Sequence, residues 1–287
     1  MGTSGSSKGP NPRTPLVPSW LDDGPSAAPA DVDGTQPPDS NQPAAPSQPQ
    51  PLPPVPPTPQ PGRFTASRRN FSAFAGSGGG DGRALRRAVR DYVRSGTNGS
   101  GNATRRMGAS RATARGVLGL LRDFQRDGVN PTLARLNLGD LVGRPLEDVF
   151  IGLTDVICED GGSIDEGIAR EAWLETIAEL DGLDVTDPTT LSPDQMGDIF
   201  LAFIAHSVVC RLLQDIGAKG FKFAADLAGI AAFDAQLRNY IRRSVRDSFS
   251  GDLAMPSALS DRQIHTIVDR TYHEAWELLV TQGDAEG

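Results

Sequence analysis

The chain has 287 residues, of which 38% are hydrophobic and 22% charged, and its formal net charge at pH 7 is −8. The apolar share is below the roughly 45–50% that is typical of globular domains, and 18 of the 23 prolines lie in residues 1–62, which excludes one uniform globule. The sequence has neither eighteen consecutive apolar residues nor an apolar signal core in its first thirty residues, so we expect a cytoplasmic protein without a membrane span or a secretory leader.

Residues 1–62 are predicted to form a disordered, Pro-rich tail. The run Pro51–Pro61 lacks backbone donors at most positions and offers little apolar surface to offset chain entropy. Such a segment serves either as a spacer or as a docking peptide for an aromatic-lined groove. The apolar island Pro15–Leu21 is either a chance cluster or a short binding motif. Its candidate partner-binding residues are Leu16, Val17, Trp20 and Leu21.

Residues 63–130 form a basic segment rich in Arg, Gly and Ser, in which we predict two helices. Residues 63–127 carry 14 arginines and only four carboxylates. The stretch Gly76–Gly82 is interpreted as a flexible hinge, because no strand pattern precedes it and no Gly-Lys-Ser/Thr follows it. The helices are expected at Arg83–Arg94 and at about Ala109–Arg126, joined by a loop, each with an apolar face and an arginine stripe.

The arginine stripes carry the clearest charge signal in the sequence. Guanidinium groups suit phosphate, so one interpretation is contact with a nucleic-acid backbone, although aromatic side chains for base stacking, such as Phe64, Phe71, Phe74 and Tyr92, are few in the segment. The other interpretations are solvated faces, or pairing with an acidic partner or with the acidic residues of 140–234. The candidate residues are Arg83, Arg86, Arg87, Arg90, Arg94, Arg111, Arg115, Arg122 and Arg126.

Residues 131–287 are predicted to be an acidic, all-helical domain. Helical spacing of apolar residues predicts helices at Leu146–Ile157, Ile164 to about Leu180, Pro193 to about Ile216, about Asp226–Ser248 and Asp261–Val280. Ser163 with Glu166, Ser192 and Ser260 are the predicted N-caps. The expected fold class is all-α: a bundle-like, multi-helix C-terminal body preceded by a disordered tail and a basic helical segment.

The residues of this body do not suggest a metal centre or a catalytic centre. His206 and Cys210 lie four apart on one predicted helix, but they lack further ligands and are interpreted as a buried core pair. Cys158 and Cys210 are predicted to be free thiols. Asp155, Glu159, Asp160, Asp165 and Glu166 cluster near one helix start, as is expected where acidic residues are abundant, and no nucleophile–base set accompanies them. We therefore predict a protein without metal, cofactor or enzymatic activity.

Several short stretches carry a resemblance to a known family. They are Met1-Gly-Thr-Ser4, Gly9-Pro10, Pro15-Leu-Val-Pro-Ser-Trp20, Gly108-Ala-Ser-Arg-Ala-Thr-Ala-Arg115 and Leu136-Asn-Leu-Gly-Asp-Leu-Val-Gly-Arg144. In this order, with a Pro-rich stretch before an Arg-rich one, the chain resembles the QatB family, accessory subunits of the Qat anti-phage defence systems. The resemblance spans nearly the full length and implies a non-catalytic subunit in the bacterial cytoplasm.

The resemblance also implies partners: a P-loop-type ATPase (QatA), a QueC-like enzyme (QatC) and a TatD-like nuclease (QatD). Removal of Met1 would expose the amine of Gly2, so we hypothesise that the QueC-like enzyme acylates it; a plain disordered terminus is the other interpretation. The alternative function is a nucleic-acid-binding adaptor that uses the basic segment to bring a nuclease to its target.

Overall fold

The expected all-α class is confirmed. The computed structural model describes residues 62–158, 162–217, 227–249 and 256–285, and within those ranges the regular structure is helical and no strand occurs. The α-helices are α1 (Thr65–Gly76), α2 (Gly82–Asp91), α3 (Ser100–Arg105), α4 (Gly108–Asp127), α5 (Val129–Arg135), α6 (Leu146–Gly152), α7 (Thr154–Ile157), α8 (Ile164–Ala178), α9 (Pro193–Gly217), α10 (Leu227–Ser248) and α11 (Asp261–Asp284).

The basic segment holds more helices than the two that we predicted. Before α2 lies α1, whose buried face includes Phe71 and Phe74 and also Ser67, whose hydroxyl donates to the Ala88 carbonyl at 2.7 Å. The buried face of α1 therefore includes a hydrogen-bonded serine. A search for periodic apolar residues counts this serine as polar and does not predict the helix. A π-helical turn, Tyr92–Gly96, continues α2, and the expected loop through Ala103 contains α3.

The glycine-rich stretch Gly76–Gly82 packs closely against α10 at Gly79, whereas we expected a flexible hinge. Gly79 has a φ of +83°, and a Cβ there would lie 3.0 Å from the carbonyl oxygen of Ala232 in α10. Only glycine allows this conformation without strain and lets the turn before α2 approach the backbone of α10 so closely.

Helix starts in the C-terminal body agree well with their predicted caps. Ser163 and Ser260 each form a capping box, with Glu166 and Gln263 respectively, and Ser192 exchanges two hydrogen bonds with Gln195 at the start of α9. The predicted helix Leu146–Ile157 is instead two short helices, α6 and α7, interrupted at Leu153. The caps satisfy backbone N–H groups that the first helical turn leaves without partners.

One continuous hydrophobic core joins the basic segment to the C-terminal helices. Its buried side chains run from Phe64 through α9 to Leu279. Two aromatic contacts link distant parts of the chain: Tyr92 lies 5.7 Å from Trp276, and Phe150 stacks on Trp173 at 5.4 Å between ring centroids. Helix α9 is long and apolar enough to cross a membrane, but 78% of its apolar window is buried inside the protein, as in a core helix.

Helix α11 packs on α2 through a glycine that admits no side chain. A Cβ on Gly283 would lie 2.5 Å from the Cβ of Arg90 and 2.7 Å from the carbonyl oxygen of Arg86. Arg90 also donates from Nη1 to the Gly283 carbonyl at 3.4 Å. The C-terminal helix is thereby fixed against the first arginine-rich helix.

Replacing Gly283 by Ala should therefore lower the free energy of unfolding by about 1–3 kcal/mol, because two helix backbones must separate to admit the methyl group. Urea denaturation of the full chain measures this change. The matched control is Gly119→Ala in α4, where a Cβ would meet nothing within 4 Å, and it should stabilise the protein by about 0.5–1 kcal/mol through helix propensity. Equal stability changes in the two variants would contradict the packing argument.

Candidate functional site

The arginine stripe of α4 is paired with α11 and with its own helix. Arg111 and Arg115 both bind Oδ1 of Asp269, at 2.9 and 2.7 Å. Burial alone would raise the pKa of Asp269, but the hydrogen bonds from the two arginines outweigh it and hold that pKa below its usual value. One carboxylate of the C-terminal helix thus holds two of the candidate arginines in place.

Further along α4, the candidate arginines belong to a network of alternating charges. Arg122 binds Asp123 at 2.9 Å and Asp261 at 2.5 Å, and Arg126 binds Asp123 and Asp127. Arg135 of α5 joins Asp123 and Asp127 as well. Hydrogen bonds from Arg126 and then Arg135 strongly lower the pKa of Asp127. This end of the stripe is neutralised by the chain's own carboxylates.

The stripe of α2 is partly engaged in the same manner. Arg90 binds the neighbouring Asp91 and the Gly283 carbonyl, and Arg94 forms an ion pair with Asp284 of α11. Arg86 and Arg87 are half-buried, whereas Arg83 is exposed. The aromatic residues considered for base stacking, Phe64, Phe71, Phe74 and Tyr92, are all buried in the core.

A buried ion network lies where the basic segment meets α8 and α9. Asp215 accepts hydrogen bonds from the Tyr92 hydroxyl at 2.7 Å and from Arg106 at 2.8 Å. Arg211, 3% exposed, binds Asp165, 2% exposed, at 2.7 Å and also donates to the Arg106 carbonyl. Burial and then the charge of Asp215 raise the pKa of Tyr92 well above its usual value, so its hydroxyl stays a donor.

The network extends to α1 through its arginines. Arg68 donates to the backbone carbonyls of Asp215 and Ile216 at 3.3 and 3.4 Å, at the end of α9. The guanidinium groups of Arg63, Arg68 and Arg106 lie over the Phe64 ring at 4.8, 5.6 and 6.0 Å from its centroid, the distance range of cation–π contacts. These positive charges stabilise the junction of the basic segment with the acidic half.

His206 and Cys210 are both buried, as the sequence predicts. The two ring nitrogens of His206 face different carboxylates of α8 and its C-terminal end: Nδ1 is 3.5 Å from Glu175 and Nε2 is 3.1 Å from Glu179. The hydrogen bond to His206 is the main cause that lowers the pKa of Glu179. Burial raises the pKa of the Cys210 thiol to about 12 and that of Cys158 to about 11.

The candidate carboxylates near the start of α8 have separate structural roles. Asp155 pairs with Arg170 at 2.6 Å on the surface, Asp165 is buried against Arg211, and Glu166 completes the capping box. Glu159 and Asp160 lie outside the described residues. Among the residues that are described, no group of three or more His, Cys, Asp or Glu side chains is arranged to hold a metal ion.

Large apolar side chains that are exposed on α6, α7 and α8 are absent from the sequence-based predictions. They are Ile151, Val156, Ile164 and Leu174, each 47–50% exposed, and we call them the α6–α8 surface. Arg170 of α8 binds Asp155 of α7 within it. The signal available in the sequence is the composition of α8, which carries apolar residues on its outer face as well as on the face that buries Trp173.

We call the Pro-rich tail predicted for residues 1–62 the leader. Its candidate residues lie outside the described residues: Gly2, Leu16, Val17, Trp20 and Leu21.

The comparison with known families gives a match over most of the described body. A family model described as Qat anti-phage system associated protein QatB matches residues 98–279, from the turn before α3 to near the end of α11. No curated protein and no solved structure matches the chain.

Substitution of Asp215 tests whether the buried network holds the basic segment to the core. Asp215→Asn keeps the shape of the side chain but removes its charge beside Arg106 and Arg211, so we expect the free energy of unfolding to fall by about 3 kcal/mol. Urea denaturation of the full chain measures the change.

The control is Asp155→Asn, whose carboxylate pairs with Arg170 but is 80% exposed, and it should change stability by less than about 0.5 kcal/mol. If Asp215→Asn were as mild as this control, the network would contribute no more than a surface ion pair.

Proposed function

Since the chain belongs to the QatB family of Qat anti-phage systems, we propose that it works as a non-catalytic interaction subunit of that bacterial defence, in the cytoplasm, and that its α6–α8 surface binds another component. The observation that carries the proposal is the concentration of exposed large apolar side chains there. In the described ranges, four of the six such side chains belong to this surface, and the other two are Val142 and Ile230. Clustered apolar exposure marks interaction sites on soluble proteins.

The composition of the α6–α8 surface suits a protein partner. Aliphatic side chains supply area that becomes favourable when water is removed, and the Arg170–Asp155 pair offers polar contacts beside them. A Cβ on Gly167 would meet no atom within 4 Å, so another backbone can approach α8 closely at this position. The surface lies inside the family match at residues 98–279, as expected of a feature that serves the family's common role.

The engagement of the polar groups supports a non-catalytic role. The carboxylates and arginines that stand out in the sequence hold helices together, as with Asp269 between α4 and α11 and Asp215 between α9 and the turn that continues α2. The two cysteine thiols have raised pKa values and are buried, which disfavours nucleophilic use.

For the leader, we propose that the partner is the QueC-like enzyme and that it acylates the Gly2 amine. An activated carboxylate would form an amide with that amine, releasing the activating group and one proton. The other expected components are the P-loop-type ATPase and the TatD-like nuclease. A nucleic-acid adaptor is the weaker alternative, because Arg111, Arg115, Arg122 and Arg126 are paired with carboxylates of this chain.

Pull-down through this chain, co-expressed with the other Qat components, tests the α6–α8 surface. Leu174→Arg should reduce the co-purified partner by about tenfold or more, because a charge replaces an apolar contact. Ala66→Arg, an exposed helical substitution in α1, should leave recovery unchanged. Unchanged recovery with Leu174→Arg would place the interface elsewhere.

Intact-mass analysis tests the modification of Gly2. Co-expression with the QueC-like enzyme should add one acyl group to the first peptide, and Gly2→Pro, whose secondary amine is a poorer acceptor, should lose the added mass. An identical mass with and without the enzyme would reject the modification and leave the proposal for the α6–α8 surface untouched.

A further inference from the structure

A pocket of about 460 Å³ opens between the end of α8, the start of α9 and the second half of α10. Its apolar lining is Leu180, Leu183, Ile199, Leu201 and Ala202. This volume lies in the range of pockets that bind small ligands or a few side chains. The pocket shares no residue with the α6–α8 surface, so it needs a separate explanation.

Two arginines one helical turn apart stand at the edge of this apolar lining. Arg242 pairs with Glu179, and Arg246 pairs with Asp198. The arginine side chains are 40% and 61% exposed, so both are partly open to solvent beside these pairs. Exposed ion pairs of this kind contribute little to stability. Each guanidinium can therefore bind a second carboxylate at small cost in free energy.

The pocket therefore suits a peptide in which bulky apolar side chains stand beside carboxylates. The chain itself contains such a sequence, Trp20-Leu21-Asp22-Asp23, in a leader where apolar residues are otherwise sparse. Its two apolar side chains would cover the apolar lining, and its two adjacent carboxylates would meet two arginines about 6 Å apart. The peptide thus matches the pocket in the chemistry and the number of its groups.

The connection between this sequence and the helical body is long enough. Thr65 at the start of α1 binds the Gly62 carbonyl, and Arg68 of α1 binds the Asp215 carbonyl near the end of α9. From Asp215 back to Ala202 in the pocket is about 20 Å along α9, at about 1.5 Å per residue. Residues 24–61 can span roughly 125 Å at about 3.3 Å per residue, so the leader can reach the pocket of its own chain.

We propose that the pocket binds residues 20–23 of its own chain, with Trp20 and Leu21 on the apolar lining and Asp22 and Asp23 on Arg242 and Arg246. Because both parts belong to one chain, their effective concentration is high and moderate contacts suffice. Docking fixes the leader to the body about twenty residues after its start and leaves the residues before Trp20 available to a partner. The proposal depends neither on the α6–α8 surface nor on modification of Gly2.

The indole N–H signals of the full ¹⁵N-labelled chain test the proposal. The chain has three tryptophans, and Trp173 and Trp276 are fully buried, so their signals report whether each variant folds. Trp20→Phe identifies the third signal. In the unmodified sequence we expect the Trp20 signal to be displaced from its position in a synthetic peptide of residues 15–25.

Two pocket variants should return the Trp20 signal to its position in the peptide: Ala202→Phe, which fills the pocket, and Arg242→Ala with Arg246→Ala, which removes the charged edge. The control is Arg243→Ala, an exposed neighbour in α10 that donates to the Asn239 carbonyl, and it should leave the displacement intact. A Trp20 signal that coincides with the peptide in the unmodified chain would overturn the proposal. So would a displacement that both pocket variants preserve, or one that fades on dilution and therefore reports docking between copies.

Discussion

The fold depends on the buried contact between Asp215 and the side chains that come to it from the basic segment. Asp215 holds the Tyr92 hydroxyl and Arg106, and the adjoining Arg211–Asp165 pair ties α9 to α8. Charges this far from water are costly when one partner is missing, so the network is stable only when the basic segment, α8 and α9 are all in place. It thereby couples the formation of the basic segment to that of the acidic half.

Ion pairs also join the arginine-rich helices to α11, whose carboxylates lie outside the acidic residues 140–234. Arginines of α4 and of the turn after α2 meet carboxylates of α11, so that segments with opposite net charge lie side by side. Much of the positive field that the linear sequence suggests is cancelled within the protein. Apolar side chains are also accessible, on the α6–α8 surface and in the pocket beside Arg242 and Arg246.

In the proposed arrangement, these two features have different tasks. An open apolar surface offers area to a large partner, whereas a concave pocket with charged edges suits a short peptide. In the proposed arrangement the body binds another Qat component through α6–α8 while it holds its own leader through the pocket. A member of an anti-phage system could in this way present its terminal residues from a fixed point.

The sequence alone determined the helical class and the starts of the long helices, because apolar spacing and serine caps are local signals. Ser163, Ser192 and Ser260 cap α8, α9 and α11 as predicted. The family resemblance was likewise present in the sequence and agrees with the match at residues 98–279. Helix α1 was not predicted, because a serine such as Ser67 is expected on an exposed face. Its burial depends on the hydrogen bond to the Ala88 carbonyl, which the sequence does not show.

Only the tertiary structure decided which charges are used. Whether Arg111 faces solvent, nucleic acid or Asp269 depends on how α4 and α11 approach each other. The two residues are 158 positions apart in sequence, and a periodic pattern contains no information on that approach. The exposure of Leu174 and the pocket at Ala202 are decided in the same way, by which helix faces are covered by others. The local sequence determines which side chains of a helix are apolar enough to be buried. The packing of the whole chain determines which of them other helices cover.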